Sequence, residues 1–397
     1  MPFADQQPDP ATLSEFVALA GRDAWDRRLA ELLESSRTRS LGARAVQQRH
    51  MLELTLGRLC DPAALAAAGR MERLALGFAA EALRVAAELP TPAREKLRDR
   101  LAAGLAGESS LCSLFHLLRV AALQRSRGFA VQFAGLCDGA DFDLLIEREG
   151  VSAEVACETV SAEEGRHVHR QGWCALVDRV NPELQTWLSA HPGRYVLKMT
   201  LPEGLREPAQ VAELHRRIAA LLATRGRQDA GPDAVLKLDP LLLAGAQATL
   251  PASLRAQFGP DAHLAVAGQP GGGSVFVIAA QSGRENDISA AACRRLSLAA
   301  TARLSGSRPG LLAMFLDDID RAEWRGLRDR LELEGTVRRF LTRPEAKRVV
   351  AVSCASRMEL FDVPAPDGVA EGELRFRNPS HPQAKLAALL PAVASSI

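Results

Sequence analysis

The chain has 397 residues, 47% hydrophobic and 24% charged; that length supports two or three folded units, and that composition excludes wholesale disorder. Its 49 lysines and arginines against 48 aspartates and glutamates leave a formal charge of +1. This excludes a global field that would draw in nucleic acid or an anionic membrane, so any polyanion contact must come from a local patch. Seven scattered cysteines with no C-x-x-C spacing argue against a disulfide framework and a cysteine zinc site.

The opening MPFADQQPDPATLSEF has no basic segment followed by an apolar one, so it does not read as a signal peptide. No run of about 18 apolar residues occurs, so no membrane span and no membrane partner are expected, and the expected compartment is the cytoplasm. Residues 11 to about 108 read as helices. Asp61-Pro62 and Thr91-Pro92 each place an N-cap acceptor before a proline at the first helical position. Leu74, Phe78, Ala82 and Val85 repeat on one helical face. Such a bundle is a packing module, or a surface for homodimerisation.

From about 110 the pattern changes. SLCSLFHLLRVAALQRSRG reads as a helix, FAVQFAGLC (129–137) as a short strand, and DFDLLIERE and VSAEVACETV as a hairpin turning at Gly150. Ser161 and Glu164 form a capping box that predicts a long helix running toward Trp187. A strand at Tyr195–Leu201 and a helix at VAELHRRIAALLATRG follow. Beyond 231, strands are expected at AVLKLD, HLAVAG, SVFVIAA, LLAMFLDD, VVAVSCAS and LRFRNPS, with helices at about 287–304 and 321–342. Gly268–Ser274 lacks the Gly-Lys-Ser/Thr of a phosphate loop and reads as a hairpin connection. The expected division is a helical bundle (1–109), an α/β core (110–230) and a C-terminal α/β region (231–397).

The segment GADFDLLIEREGVSAEVACETVSAEEGRHVHR carries the chemistry. It resembles the PD-(D/E)xK, or restriction-endonuclease-like, superfamily. The resemblance implies an αβββαβ core with an aspartate at the start of the second strand and a Glu-x-Lys on the third. The carboxylates hold Mg²⁺ or Mn²⁺, which polarises a phosphodiester and supplies hydroxide. Asp141 and Asp143 fall in the aspartate region, Asp141 slightly favoured. AEVACETVS is similar to the V-E-C-K-T-x-S form, which puts Ala156 where the glutamate belongs and Glu158 where the lysine belongs.

The implied metal ligands are therefore Asp141, Asp143, Glu154 and Glu158, although Glu154 and Glu158 are about 13 Å apart along the strand, too far to share one ion. No lysine occurs between 97 and 197, so Lys198 on the next strand is the nearest candidate amine, and Arg166 and Arg170 are candidate phosphate contacts on the following helix. His167-x-His169 on a helix would diverge and makes a poor metal pair. Asp317, Asp318 and Asp320 read as helix-capping residues. Two functions follow from the resemblance. One is a degenerate nuclease-fold protein that binds or scaffolds DNA or RNA without catalysis, favoured because both diagnostic residues are replaced. The alternative is an active Mg- or Mn-dependent phosphodiesterase built on Asp141, Asp143 and Glu158.

Overall fold

The computed structural model describes residues 9–242, 250–259, 262–268, 273–357 and 373–395. The chain divides into two compact units: the first takes in residues 1–35, 47–164 and 289–397, and the second residues 36–46 and 165–288. These are interleaved along the sequence, unlike the three consecutive blocks expected, and strand pairing gives the reason.

The helices that open the first unit are α1 (Pro10–Ala20), α2 (Arg22–Ser35), α4 (Met51–Arg58), α5 (Pro62–Ala66), α6 (Arg70–Glu88), α7 (Thr91–Gly104) and α8 (Cys112–Ser126), with α3 (Leu41–Arg49) spanning a boundary between units. Asp61 caps α5 as its sequence implies, accepting from the Ala63 amide at 3.0 Å. The α6 face carrying Leu74, Phe78, Ala82 and Val85 is fully buried. These helices do not form a separate bundle. A file of rings runs from Phe16 through Phe78 and Phe115 to Phe315 at centroid separations of 5.6, 5.9 and 6.4 Å, which carries the helical core directly into the sheet.

That sheet has six strands: β1 (Ala130–Gln132), β2 (Leu144–Arg148), β3 (Val151–Ser161), β9 (Gly310–Asp317), β10 (Val349–Ser356) and β11 (Leu374–Arg377), in the order β1-β2-β3-β9-β10-β11. β1, β2 and β3 form an antiparallel meander, β3, β9 and β10 run parallel, and β11 closes the edge antiparallel. The β2–β3 hairpin turns where expected, on Glu149 and Gly150, both at positive φ (53° and 76°). Every residue of β9 is buried, as a strand covered on both faces requires.

The sequence places the fourth core strand at 195–201, yet the strand beside β3 is β9, more than a hundred residues later. Between β3 and α13 (Ile288–Ala302) the long segment of the second unit, 165–287, intervenes. That unit holds α10 (Arg170–Ala190), β4 (Arg194–Leu201), α11 (Pro208–Ala223), β5 (Gln228–Ala230), β6 (Val235–Pro240), α12 (Leu250–Phe258), β7 (His263–Gly268) and β8 (Val275–Ser282). Its five-stranded sheet runs β5-β6-β4-β8-β7. β7 and β8 pair antiparallel as a hairpin; residues 269–272 of their connection lie outside the described residues. The 165–288 segment of this unit begins and ends at adjacent residues: the Asp287 amide donates to the Gly165 carbonyl at 2.9 Å, and a Cβ on Gly165 would lie 2.5 Å from the Ile288 Cα. Only glycine fits that crossing.

Three local expectations also shift. The strand read over 129–137 stops at Gln132, and Ala134–Cys137 form a short helix, α9. The helix read from Ser161 is a single 3-10 turn (Ala162–Gly165); Ser161 Oγ does accept from the Glu163 amide at 3.2 Å, but it also donates to Asp318 Oδ2 at 2.7 Å. The helix read over 321–342 is two, α14 (Arg321–Asp329) and α15 (Glu332–Leu341), broken at Leu331 with φ 56°. Among the described residues no helix is long and apolar enough to cross a membrane.

One core residue predicts a pH response. His116 on α8 is buried, its Nε2 bonded to the Ala313 carbonyl of β9 at 2.9 Å, and burial pushes its pKa down to about 3. The unfolded chain therefore binds a proton near pH 6.5 that the fold refuses. Stability is complete above about 6.5 and falls as pH drops, by up to about 1.4 kcal/mol per pH unit from this group. Urea unfolding at pH 7 and pH 5 should show this loss in the native protein and a flatter response in His116→Leu. Equal slopes would refute it.

Candidate functional site

β3 and the entry to β2 bring together two of the carboxylates that the sequence singles out. α9 presses its Gly135 against the start of β2: the Gly135 amide donates to the Asp143 carbonyl at 3.2 Å, and a Cβ there would sit 3.0 Å from the Phe142 carbonyl oxygen. This close approach fixes Asp143, whose amide joins the ladder through the Val155 carbonyl at 3.0 Å. With Leu144 paired to Val155, the next rung sets Asp143 opposite Ala156, and Glu158 follows on the same side of β3.

The residue between Asp143 and Glu158 is Arg303, which follows α13. Its Nη2 donates to Asp143 Oδ2 at 2.8 Å, its Nη1 to Glu158 Oε1 at 2.6 Å, and its Nε to the Asp141 backbone carbonyl. Asp143 Oδ2 also accepts from the Cys157 amide at 2.9 Å, and Oδ1 from Arg100 of α7 at 3.3 Å. Arg295, two turns before Arg303, lies 3.9 Å from Glu158 and 3.7 Å from Glu164.

Asp143 is 5% exposed and the Glu158 side chain 12%. Burial raises the Glu158 pKa; the pull of Arg303 and Arg295 opposes this and nearby Asp143 adds to it, with the net shift upward. Burial, with Asp143 beside it, also holds the Cys157 thiol well above its usual range, so it is neutral and no nucleophile at pH 7.

The other sequence candidates lie elsewhere. Asp141 is exposed and contributes its carbonyl, so Asp143 rather than Asp141 is the strand-two carboxylate that meets Glu158. Glu154 is fully buried at the other end of β3, accepting from the Ser305 amide at 2.8 Å and from Ser305 Oγ. It holds a loop and shares nothing with Glu158. Lys198 is on β4 in the second unit's sheet, paired with Asp239 at 3.0 Å, both about two-fifths exposed. Arg166 is fully buried in the link before α10, and Arg170 opens that helix, so the two are not one helical turn apart. Asp317 is no helix cap: buried, it pairs with Arg357, whose Nε donates to Oδ1 at 2.7 Å.

A hard divalent cation takes about six oxygen ligands. Among the described residues no group of three or more His, Cys, Asp or Glu side chains is placed to hold a metal ion. Around Asp143 and Glu158, the space a cation would need is spanned by a guanidinium that donates to both carboxylates and to a carbonyl. The donor set does not fit Mg²⁺ or Mn²⁺. Arg303, Arg100 and Arg295 were missed in the sequence because nothing local marks them: nearly every cation in this chain is an arginine, with only five lysines in 397 residues. A comparison with protein-family models, with curated proteins and with solved structures finds no match for the chain.

Proposed function

We propose that this chain is a non-hydrolytic protein of the restriction-endonuclease-like type, in which an arginine has taken the place of the catalytic cation, and that it associates with nucleic acid through the arginines around that sealed pocket. The observation that carries the reading is the double ion pair of Arg303 with Asp143 and Glu158. The order of elements supports it. With residues 165–288 set aside as an insertion, and apart from the four-residue α9 and the 3-10 turn after β3, the first unit reads α8, β1, β2, β3, α13, β9, which is the αβββαβ order the sequence resemblance implies.

The nucleic-acid part rests on charge. Arg100 and Arg295 touch the pocket's carboxylates while keeping 41% and 38% of their side chains exposed, and Lys96 lies one turn before Arg100 on α7. These partly free guanidiniums suit phosphate oxygens. With no base-stacking platform among them, contacts would be to the backbone and strongly salt-dependent.

The test is a cleavage and gel-shift pair. Supercoiled plasmid, single-stranded DNA and RNA are incubated with Mg²⁺ or Mn²⁺, beside an Asp143→Asn control. No cleavage above that control is expected, with salt-sensitive binding weakened severalfold by Arg100→Ala/Arg295→Ala and a salt slope reduced by about 1 per arginine. Metal-dependent cleavage lost in Asp143→Asn would overturn the reading in favour of an active phosphodiesterase. Absence of binding at low salt would remove the nucleic-acid part.

A further inference from the structure

A second polar cavity in the first unit, of about 500 Å³, opens at the N-terminal ends of β9 and β10. Its walls are the loop 304–309 that follows α13, the 3-10 turn Pro344–Arg348, and residues 381–383. That volume lies in the roughly 300–1,000 Å³ range of small-molecule sites.

The loop is firmly built. The buried Glu154 carboxylate accepts from Ser305 through both its amide and its hydroxyl; Ser305 Oγ in turn accepts from the Ser307 amide at 3.1 Å and lies 2.7 Å from Ser307 Oγ. Gly306, at φ 78°, leaves room for the Arg348 guanidinium, whose Cζ would lie 3.3 Å from a Cβ there. Arg348 Nη1 is tied to the Leu304 carbonyl at 2.7 Å. Glu154, a metal-ligand candidate in the sequence, thus sets the shape of this wall.

Charge in the cavity is one-sided. Arg308 and Lys347 are exposed and make no ion pair among the described residues, and Arg348 adds a third cation. Among the described residues Glu345 is the one carboxylate in the lining; it is 3.9 Å from Arg343 and accepts from Ser297 Oγ at 3.4 Å. Neutral hydrogen-bonding groups complete the wall. His381 Nδ1 accepts from the Gln383 amide at 3.2 Å, which leaves the ring proton on Nε2 as a donor. Gln383 Oε1 is buried and has no hydrogen-bond partner among the described residues, so it can accept from a hydroxyl or amine. Among the described residues no Phe, Tyr or Trp lines the cavity, and the His381 imidazole is its one aromatic ring.

We infer that this cavity binds a small phosphorylated sugar or polyol, its phosphate held by Arg308, Lys347 and Arg348 and a hydroxyl donated to Gln383 Oε1. This site uses none of the residues of the Arg303 pocket, so it stands or falls independently of the function proposed above.

The test is calorimetric titration of the full chain with ribose 5-phosphate, inorganic phosphate and ribose at matched ionic strength. Ribose 5-phosphate is expected to bind saturably, phosphate to compete for the same site, and ribose alone to give no signal. Arg308→Ala/Lys347→Ala, two exposed positions whose loss leaves the fold intact, should weaken both phosphate ligands at least tenfold. Gln383→Leu should weaken ribose 5-phosphate and spare inorganic phosphate, and Arg303→Ala should change neither. The inference is overturned if neither phosphate compound binds above chloride, or if both bind the double variant as tightly as the native protein.

Discussion

Replacing Arg303 with alanine is expected to destabilise the first unit by about 2 kcal/mol at pH 7. Removing one partner from a buried ion pair costs about 3–5 kcal/mol, because the remaining charge is left in a poorly solvated place. The lower figure applies here because the Arg303 side chain is 31% exposed and because Arg100 and Arg295 stay near Asp143 and Glu158. The loss has a sign in pH. Without the guanidinium, whose charge opposes the effect of burial, the folded-state pKa of Glu158 rises further above the unfolded one. Such a group stabilises the fold only while protonated, and that contribution is lost as pH rises from about 4.5 through the folded value. The cost of Arg303→Ala should therefore be smallest near pH 4 and largest at neutrality. Adding Asp143→Asn and Glu158→Gln should recover most of it. Chemical denaturation followed at pH 4 and pH 7 reads all of this; a variant within about 0.5 kcal/mol of the native protein at both would mark the bridge as an ordinary surface pair.

A larger change is expected when the site is rebuilt. Ala156→Glu restores a carboxylate opposite Asp143, Glu158→Lys supplies the amine, and Arg303→Ala vacates the space between them. The triple variant should take up Mn²⁺ saturably, one ion per chain, where the native donor set holds none. The double variant Ala156→Glu/Glu158→Lys, with Arg303 kept, should stay metal-free, because the guanidinium would pair with the new carboxylate. Uptake by the double variant as strong as by the triple would show that Arg303 does not block the pocket. No uptake by a folded triple variant would show that residue 156 is not the position that faces Asp143.

The sequence carried the local half of this site and not the distant half. Period-two alternation and the Gly150 turn locate β2 and β3, and the alternation alone puts Ala156 and Glu158 on one face. The choice between Asp141 and Asp143 turned on α9, a four-residue helix that strand-like composition concealed and whose Gly135 clamps Asp143. β9 was legible as a strand, LLAMFLDD, but a parallel neighbour has no local signature: its partner is set by long-range burial. The first α/β elements after β3 therefore stood in for it. That substitution made Lys198 look adjacent and hid Arg303, which enters the pocket from 145 residues beyond Glu158. The long segment of the second unit, whose ends meet at Gly165 and Asp287, leaves no mark in composition.

Direct calorimetric titration of the native protein with Mn²⁺ tests whether an arginine holds the cation's place. A flat trace, unchanged in Asp143→Asn, is the predicted result. Saturable uptake of one ion by the native chain, abolished in Asp143→Asn, would contradict the account.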